Sequence, residues 1–214
     1  MANMIIRPAA GTGNKVIVQD QAGAAVLTTA DSGATVANAT VATGTIASAV
    51  TFPAGHVLQT VFYSTTGQPS RAGGNDAGTA FGSLSTPFKK AITPTKNNSD
   101  ILITISMMVG SSTYAAHLFI QLYDNTNSTV LPAMNTQGHF GTYMTYNSNN
   151  LYGHSIISGT FLYENPTIAA TPNSIEIEAL VAHHAGGTFY LNRRGQDATY
   201  GKLTSTIVLQ EIAG

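Results

Sequence analysis

The sequence predicts an all-β chain whose main part is an antiparallel sandwich. Three observations predict it. DILITISMMVG (100–110) puts Ile101, Ile103, Ile105, Met107 and Val109 on one face and Leu102, Thr104, Ser106 and Met108 on the other, the alternation of a strand covered mainly on one side. No window of ten or more residues shows a capped 3.6-residue period. Turn-forming stretches such as GSST, DNTNST and NPTIAATPNS recur at near-regular spacing. Short strands with no helices between them are the pattern of a sandwich.

Taken in order, KVIVQ (15–19) and AAVLTT (24–29) flank the turn-like DQAG and predict a hairpin. The next stretch, TTADSGATVANATVATGTIASAVT (28–51), has no aromatic, Leu, Met, Lys or Arg, and one charge, Asp31. A lone strand of such residues buries too little apolar area to offset an ordering cost of about 1–2 kcal/mol per residue. Two readings follow. One is a flexible linker. The other is an intertwined β shaft that orders only against copies of itself, with Val36, Val41, Ile46 and Val50 facing a trimer axis.

Large residues return at TFPAGH (51–56), so the boundary is placed there, between an N-terminal domain 1–51 and a C-terminal domain 52–214. The stretch 64–85 reads as a long loop. Beyond the 100–110 strand, AHLFIQLYD (116–124), SIISGTFLYE (155–164), SIEIEALVAHH (174–184), GTFYLNR (187–193) and STIVLQEI (205–212) are the further strand candidates.

Composition narrows the function classes. Charged residues make up 9% of the chain, against about 25% in an average soluble domain. The surface is therefore carried by Thr, Ser, Asn and Gln. Net charge is -1, and Lys89-Lys90 and Arg193-Arg194 are isolated pairs, so no basic stripe predicts nucleic-acid or anionic-lipid binding. The lack of cysteine excludes disulfides, thiolate metal sites and a Cys nucleophile. Neither a signal-peptide-like segment nor an apolar run of membrane-spanning length is present, so the expectation is a protein made in a cytoplasm, without membrane insertion.

Three constellations could carry chemistry. His183 and His184 are adjacent on a predicted strand, so they point to opposite faces and cannot share a metal easily; His117, His139 and His154 have no helpful spacing. Glu176 and Glu178 share a strand face within the separation that glycoside hydrolysis uses. A polysaccharide-degrading enzyme would have to draw on these two and on Asp124, Glu164 and Asp197. TYMTYNSNNLYGHS (142–155) gathers Tyr143, Tyr146, Asn147, Tyr152 and His154, groups suited to a sugar ring or a protein partner. The same loop also reads as a polar sandwich edge. No nucleophile elbow, P-loop or dinucleotide fingerprint occurs in context, and no cofactor is expected.

STPFKKAITPTKNNSDILITISM (85–107), GGTFYLNRRGQDATYGKLTSTIVLQEIAG (186–214) and FPAGHVLQ (52–59) resemble C-terminal modules of fibre-like structural proteins of tailed bacteriophages, marine and cyanobacterial phages in particular. The resemblance covers 52–214. It implies a homotrimer with jelly-roll heads similar to the tumour-necrosis-factor-like architecture, and a non-enzymatic part of a virion surface, made in the host bacterial cytoplasm. That part would be a short fibre, or a tail or capsid decoration, serving host-surface attachment or particle decoration. It implies that the N-terminus, with Met4, Ile5, Ile6 and Arg7, anchors the chain to another virion protein, while the head meets a host glycan or protein. From another class, a free glycan-binding module or a polysaccharide-degrading enzyme on a β-sandwich stays open.

Overall fold

A computed structural model describes residues 16–19, 21–30, 33–36, 52–73, 81–113, 115–131, 139–145, 153–164, 166, 174–195 and 203–214. The chain divides into two compact units, Met1–Val50 and Thr51–Gly214.

In the first unit, β1 (Ile17–Gln19), β2 (Ala25–Ala30) and β3 (Gly33–Val36) form an antiparallel sheet in that order. Gly23 has φ +85°, and the Gln19 side chain donates to its carbonyl at 2.7 Å, which closes the β1–β2 turn. β3 lies inside the small-residue run. Val36 is in register with Leu27, so residues 33–36 take a backbone partner from their own chain. Val41, Ile46 and Val50 lie outside the described residues, as do Met4, Ile5, Ile6 and Arg7.

The second unit has eight principal strands: β4 (Val57–Thr65), β6 (Lys89–Ile92), β7 (Asp100–Ser111), β8 (Ala115–Asp124), β10 (Phe140–Thr145), β11 (Ser155–Tyr163), β12 (Ile175–His183) and β14 (Ser205–Ile212). They make two sheets, β4-β14-β7-β11 and β6-β12-β8-β10. Counted one to eight along the chain, the strands run 1-8-3-6 and 2-7-4-5. That order is the jelly roll, two Greek keys wrapped into a sandwich.

Short strands β5 (Ser70–Ala72), β9 (Thr129–Val130) and β13 (Thr188–Leu191) trim the edges. β7 is long enough to take β14 and then β13 along one edge, because Ile105 pairs Ile207 and Val109 pairs Leu191, while β11 runs along the other. The expected loop 64–85 is partly strand. β4 continues to Thr65, Ser70–Ala72 pairs β13, and Gly82 bridges Val181.

Period-two alternation fills the core. Ile101, Ile103, Ile105, Met107 and Val109 meet Leu118, Ile120 and Leu122 of β8, Ile175, Ile177 and Val181 of β12, and Ile207 and Leu209 of β14, all fully buried. Each such side chain contributes about 1.5–3 kcal/mol.

Buried polar groups lock the ends. Glu211 is fully buried and accepts from Thr95 N (2.7 Å), Thr95 Oγ1 (2.9 Å), Lys96 N (3.1 Å), Ser99 Oγ (2.7 Å) and Gln59 Nε2 (2.7 Å). Burial pushes this carboxyl up, but the hydrogen bonds outweigh it and hold it below the usual range. Asn192, at φ +55°, donates to the carbonyls of Thr65 (2.8 Å) and Gly67 (2.9 Å) and accepts from Ser205 Oγ at 2.6 Å. The ITPTK and EI elements of the two recognisable stretches thus meet at Glu211, and the N of YLNR is a clamp. These motif residues close the fold.

Candidate binding surface

β8 alternates between the core and the outside of its sheet. Leu118, Ile120 and Leu122 point in; His117, Phe119, Gln121 and Tyr123 occupy the outward positions. The register of β10 sets Tyr143 opposite His117 and Gly141 opposite Phe119. The Tyr143 and His117 rings lie 4.4 Å apart. His117 stacks on Phe119 at 5.8 Å with 9° between planes. His184, in the 3₁₀ turn His184–Gly186 that follows β12, meets His117 edge-on at 5.6 Å. His139 is buried; it packs edge-on against Phe119 at 5.0 Å and against Phe81 at 5.5 Å.

The result is a run of rings that begins exposed and ends buried. Tyr143 is 53% exposed, and His117 and His184 are also exposed. The backbone makes room for it. A Cβ on Gly141 would meet the Leu118 carbonyl oxygen and come within 2.9 Å of the Phe119 ring. Phe119 therefore lies over a glycine, in the register that also delivers Tyr143 to His117. Rings held this way offer a flat apolar face, a phenol and two imidazoles, one on β8 and one in the turn after β12.

Of the loop residues expected to bind, Tyr143 belongs to this patch. Tyr146, Asn147 and Tyr152 lie outside the described residues. His154 is exposed just before β11, and a 3.0 Å hydrogen bond between Thr142 and Ser155 ties the two ends of that loop together. Local spacing does not link His117, His139 and His184; the fold joins them, since Phe119 meets both His117 and His139 and His117 meets His184.

His183 faces the other way, as alternation required. It is buried, with Nε2 2.7 Å from Ser111 Oγ, and its Nδ1 accepts from Gly187 N at 3.1 Å. An accepting Nδ1 assigns the proton to Nε2, which donates to Ser111; Ser111 in turn donates to the Thr113 carbonyl. Burial pushes the imidazole below its ordinary 6.5, and the neighbouring His184 adds to that. His183 is a neutral structural group.

Glu176 and Glu178 do share a face, and their environment is that of a charge network. Lys89 Nζ lies 2.7 Å from Glu176 Oε1, and the bond holds the Glu176 carboxyl down and the Lys89 ammonium up. Asn125 Nδ2 bridges Glu176 (3.2 Å) and Glu178 (2.8 Å), and Glu178 is buried. Asp124 is consumed by Thr126, Asn127 and the Tyr163 hydroxyl, whose pKa burial and Asp124 push up to about 12. Glu164 is exposed, and Asp197 lies outside the described residues. Among the described residues, no group of three or more His, Asp or Glu is placed to hold a metal. A cleft of about 280 Å³ opens at the end of β4, lined by Tyr63, Gln68, Pro69, Pro87, Phe88 and Leu191 among others, with no carboxylate, imidazole or ammonium in its wall.

No protein-family model and no curated protein matches the sequence. Solved structures do match in shape. One is a chain of the T13 viral particle of infectious bursal disease virus, at 10% identity and TM-score 0.39, over 88% of this chain and 45% of that one. Another is VP2 of the same virus in its subviral particle, at 9% identity and TM-score 0.38, over 84% and 45%. This chain spans less than half the length of those proteins. Its assignment as a jelly roll rests on its own strand order.

Proposed function

We propose that this chain is a non-enzymatic structural protein of a virion surface. In this reading three copies form a short fibre or a decoration spike of a tailed bacteriophage, and each jelly-roll head presents the Tyr143–His117–His184 patch to a host glycan. One observation carries it: Asp124, Glu211 and His183 are hydrogen-bonded into the fold, while the aromatic–imidazole run of Tyr143, His117 and His184 is open to solvent. Jelly rolls serve widely as capsid and lectin domains, and the sequence resemblance to phage fibre-like modules supports the virion setting. Three copies give avidity where a single shallow site binds weakly.

The second reading, a free glycan-binding module, is favoured by the same patch and differs in location. Electron microscopy of purified particles with labelled antibody separates the two: label on the particle supports the virion reading, and bare particles overturn it. Tyr143→Ala tests the patch. Losing one stacking ring should weaken glycan-array binding by about fivefold to tenfold. Unchanged binding and unchanged adsorption of particles carrying Tyr143→Ala would remove the patch from the proposal.

A further inference from the structure

The two outer faces of the sandwich are chemically unlike. The β6-β12-β8-β10 sheet carries the Lys89–Glu176 ion pair and the ring patch. The β4-β14-β7-β11 sheet carries no charge on any outward position in 60–64, 206–210, 102–108 or 156–162. Phe62 (58% exposed), Ile156 (56%) and Leu162 (37%) stand on it, with Leu102, Met108 and Val208 half-buried between them. The other outward positions are Ser, Thr and one Gln, and they satisfy one another in part: Thr104 and Thr160 hydroxyls are 3.2 Å apart, and Gln210 donates to Thr60 at 3.3 Å.

We propose that this face is where copies of the chain meet. The inference deepens the trimeric reading above and rests on it. Three features select a second copy as the occupant. Over these ranges the face is uncharged, so neighbouring copies can bring it together with no like-charge repulsion, whereas a foreign partner would have to be equally neutral. The area is sizeable: four strands about 4.8 Å apart and four rows about 6.8 Å apart cover about 500 Å² per copy, so three copies that turn this face to a common axis bury about 1,500 Å² together. And β11 borders it. This nine-residue strand, SIISGTFLY, pairs among the described residues only with β7, and it carries none of the Lys, Glu or Pro residues that normally blunt an exposed edge. With this face turned inward, the Tyr143 patch, on the opposite sheet, is left for the outside.

The test is the mass of the full chain in solution by light scattering, for the wild type and for Phe62→Lys and Ile156→Lys. Both positions are exposed, so the fold should survive, checked by circular dichroism. The expected result is a wild type of three times the 22.2 kDa chain mass and variants at one times. A dimeric wild type that the variants split would keep the face and overturn the trimer. A monomeric wild type, or variants that keep its mass, overturns the face. Should a variant misfold, single cysteines decide, since the chain has none of its own. Ile156→Cys should cross-link between copies under mild oxidation, and Tyr123→Cys on the opposite sheet should not; no Ile156→Cys cross-link overturns the proposal. Particle location is measured separately, so failure here leaves the virion reading standing.

Discussion

Glu211 stands at the end of the last strand, yet its donors come from Gln59 and from residues 95–99, as far as 152 positions away. Each donor was desolvated on the assumption that a carboxylate would be there. Glu211→Gln keeps the volume and one carbonyl oxygen but turns an amide N–H₂ toward groups that are themselves donors. The expected cost is about 3 kcal/mol, seen as a lower urea midpoint with an unchanged slope. An unchanged midpoint would mean that water replaces the lost acceptor and that the site is less sealed than its burial implies. The same group and His183 set the response to acid. Both are held below their ordinary values of 4.5 and 6.5, so the unfolded chain binds more protons and stability rises with pH. His183 contributes in full above 6.5 and loses its contribution as pH falls below that; Glu211 does the same below 4.5. Thermal midpoints should therefore decline from neutral pH downward in two stages. Glu211→Gln should flatten the lower stage and leave the upper one. A midpoint indifferent to pH between 7 and 5 would contradict the neutral, buried state of His183.

At the scale of elements, packing decides where small residues are required. Gly141 and Gly55 make a controlled pair. Gly55 has φ +87° with open space around its missing Cβ, so Gly55→Ala costs backbone strain alone, about 1 kcal/mol. Gly141→Ala drives a methyl group into the Leu118 carbonyl, and the β10–β8 pairing must spread. The expected loss is about 2–3 kcal/mol, together with a weaker near-ultraviolet dichroism from Tyr143 as its ring leaves His117. Equal losses in the two variants would remove the close approach as a cause. This pair also shows what the sequence could reveal. β7, β8, β11, β12 and β14 were legible because each alternates over enough residues to expose its period, and the four-residue β13 because Phe189, Tyr190 and Leu191 follow the Gly186-Gly187 turn signal. β6 was not, since KKAI is too short to have one. β10 was not, since FGTYMT carries a glycine whose reason is a neighbour's carbonyl. In β4 the alternation is present, with Val61 and Tyr63 against the core, but Phe62 points outward, so its largest apolar residue reports a surface. For the proposed binding patch, composition picked out Tyr143, while His117 and His184 join it through register and a turn, neither of which leaves a local trace. The Glu176–Glu178 spacing was legible too, but the neutralising Lys89 comes from the adjacent strand β6.

For the whole molecule, nine basic and ten acidic residues leave a net charge of -1 on 214 residues. Most proteins of this size carry far more charge, and their stability and association both shift with salt. Here the Lys89–Glu176 ion pair is local and solvent-screened and worth little. Stability comes from the isoleucine-rich core and from hydrogen bonds to buried polar groups, which salt screens weakly. The face proposed for self-association carries no charge within 60–64, 206–210, 102–108 and 156–162, and Asp100 and Glu164 stand only at its end. Thermal midpoint and solution mass should then both stay constant between about 0.05 M and about 0.5 M sodium chloride, a range over which the Debye length falls from about 14 Å to about 4 Å. A protein assembled through ion pairs would dissociate at the upper end, and one opposed by repulsion would gain mass there. Kosmotropic sulfate should act differently, because exclusion from apolar and hydroxyl surface strengthens burial without needing charge. Mass constant in chloride and firmer in sulfate is the signature of neutral faces in contact; dissociation in chloride would place the copy–copy contact on the charged sheet instead.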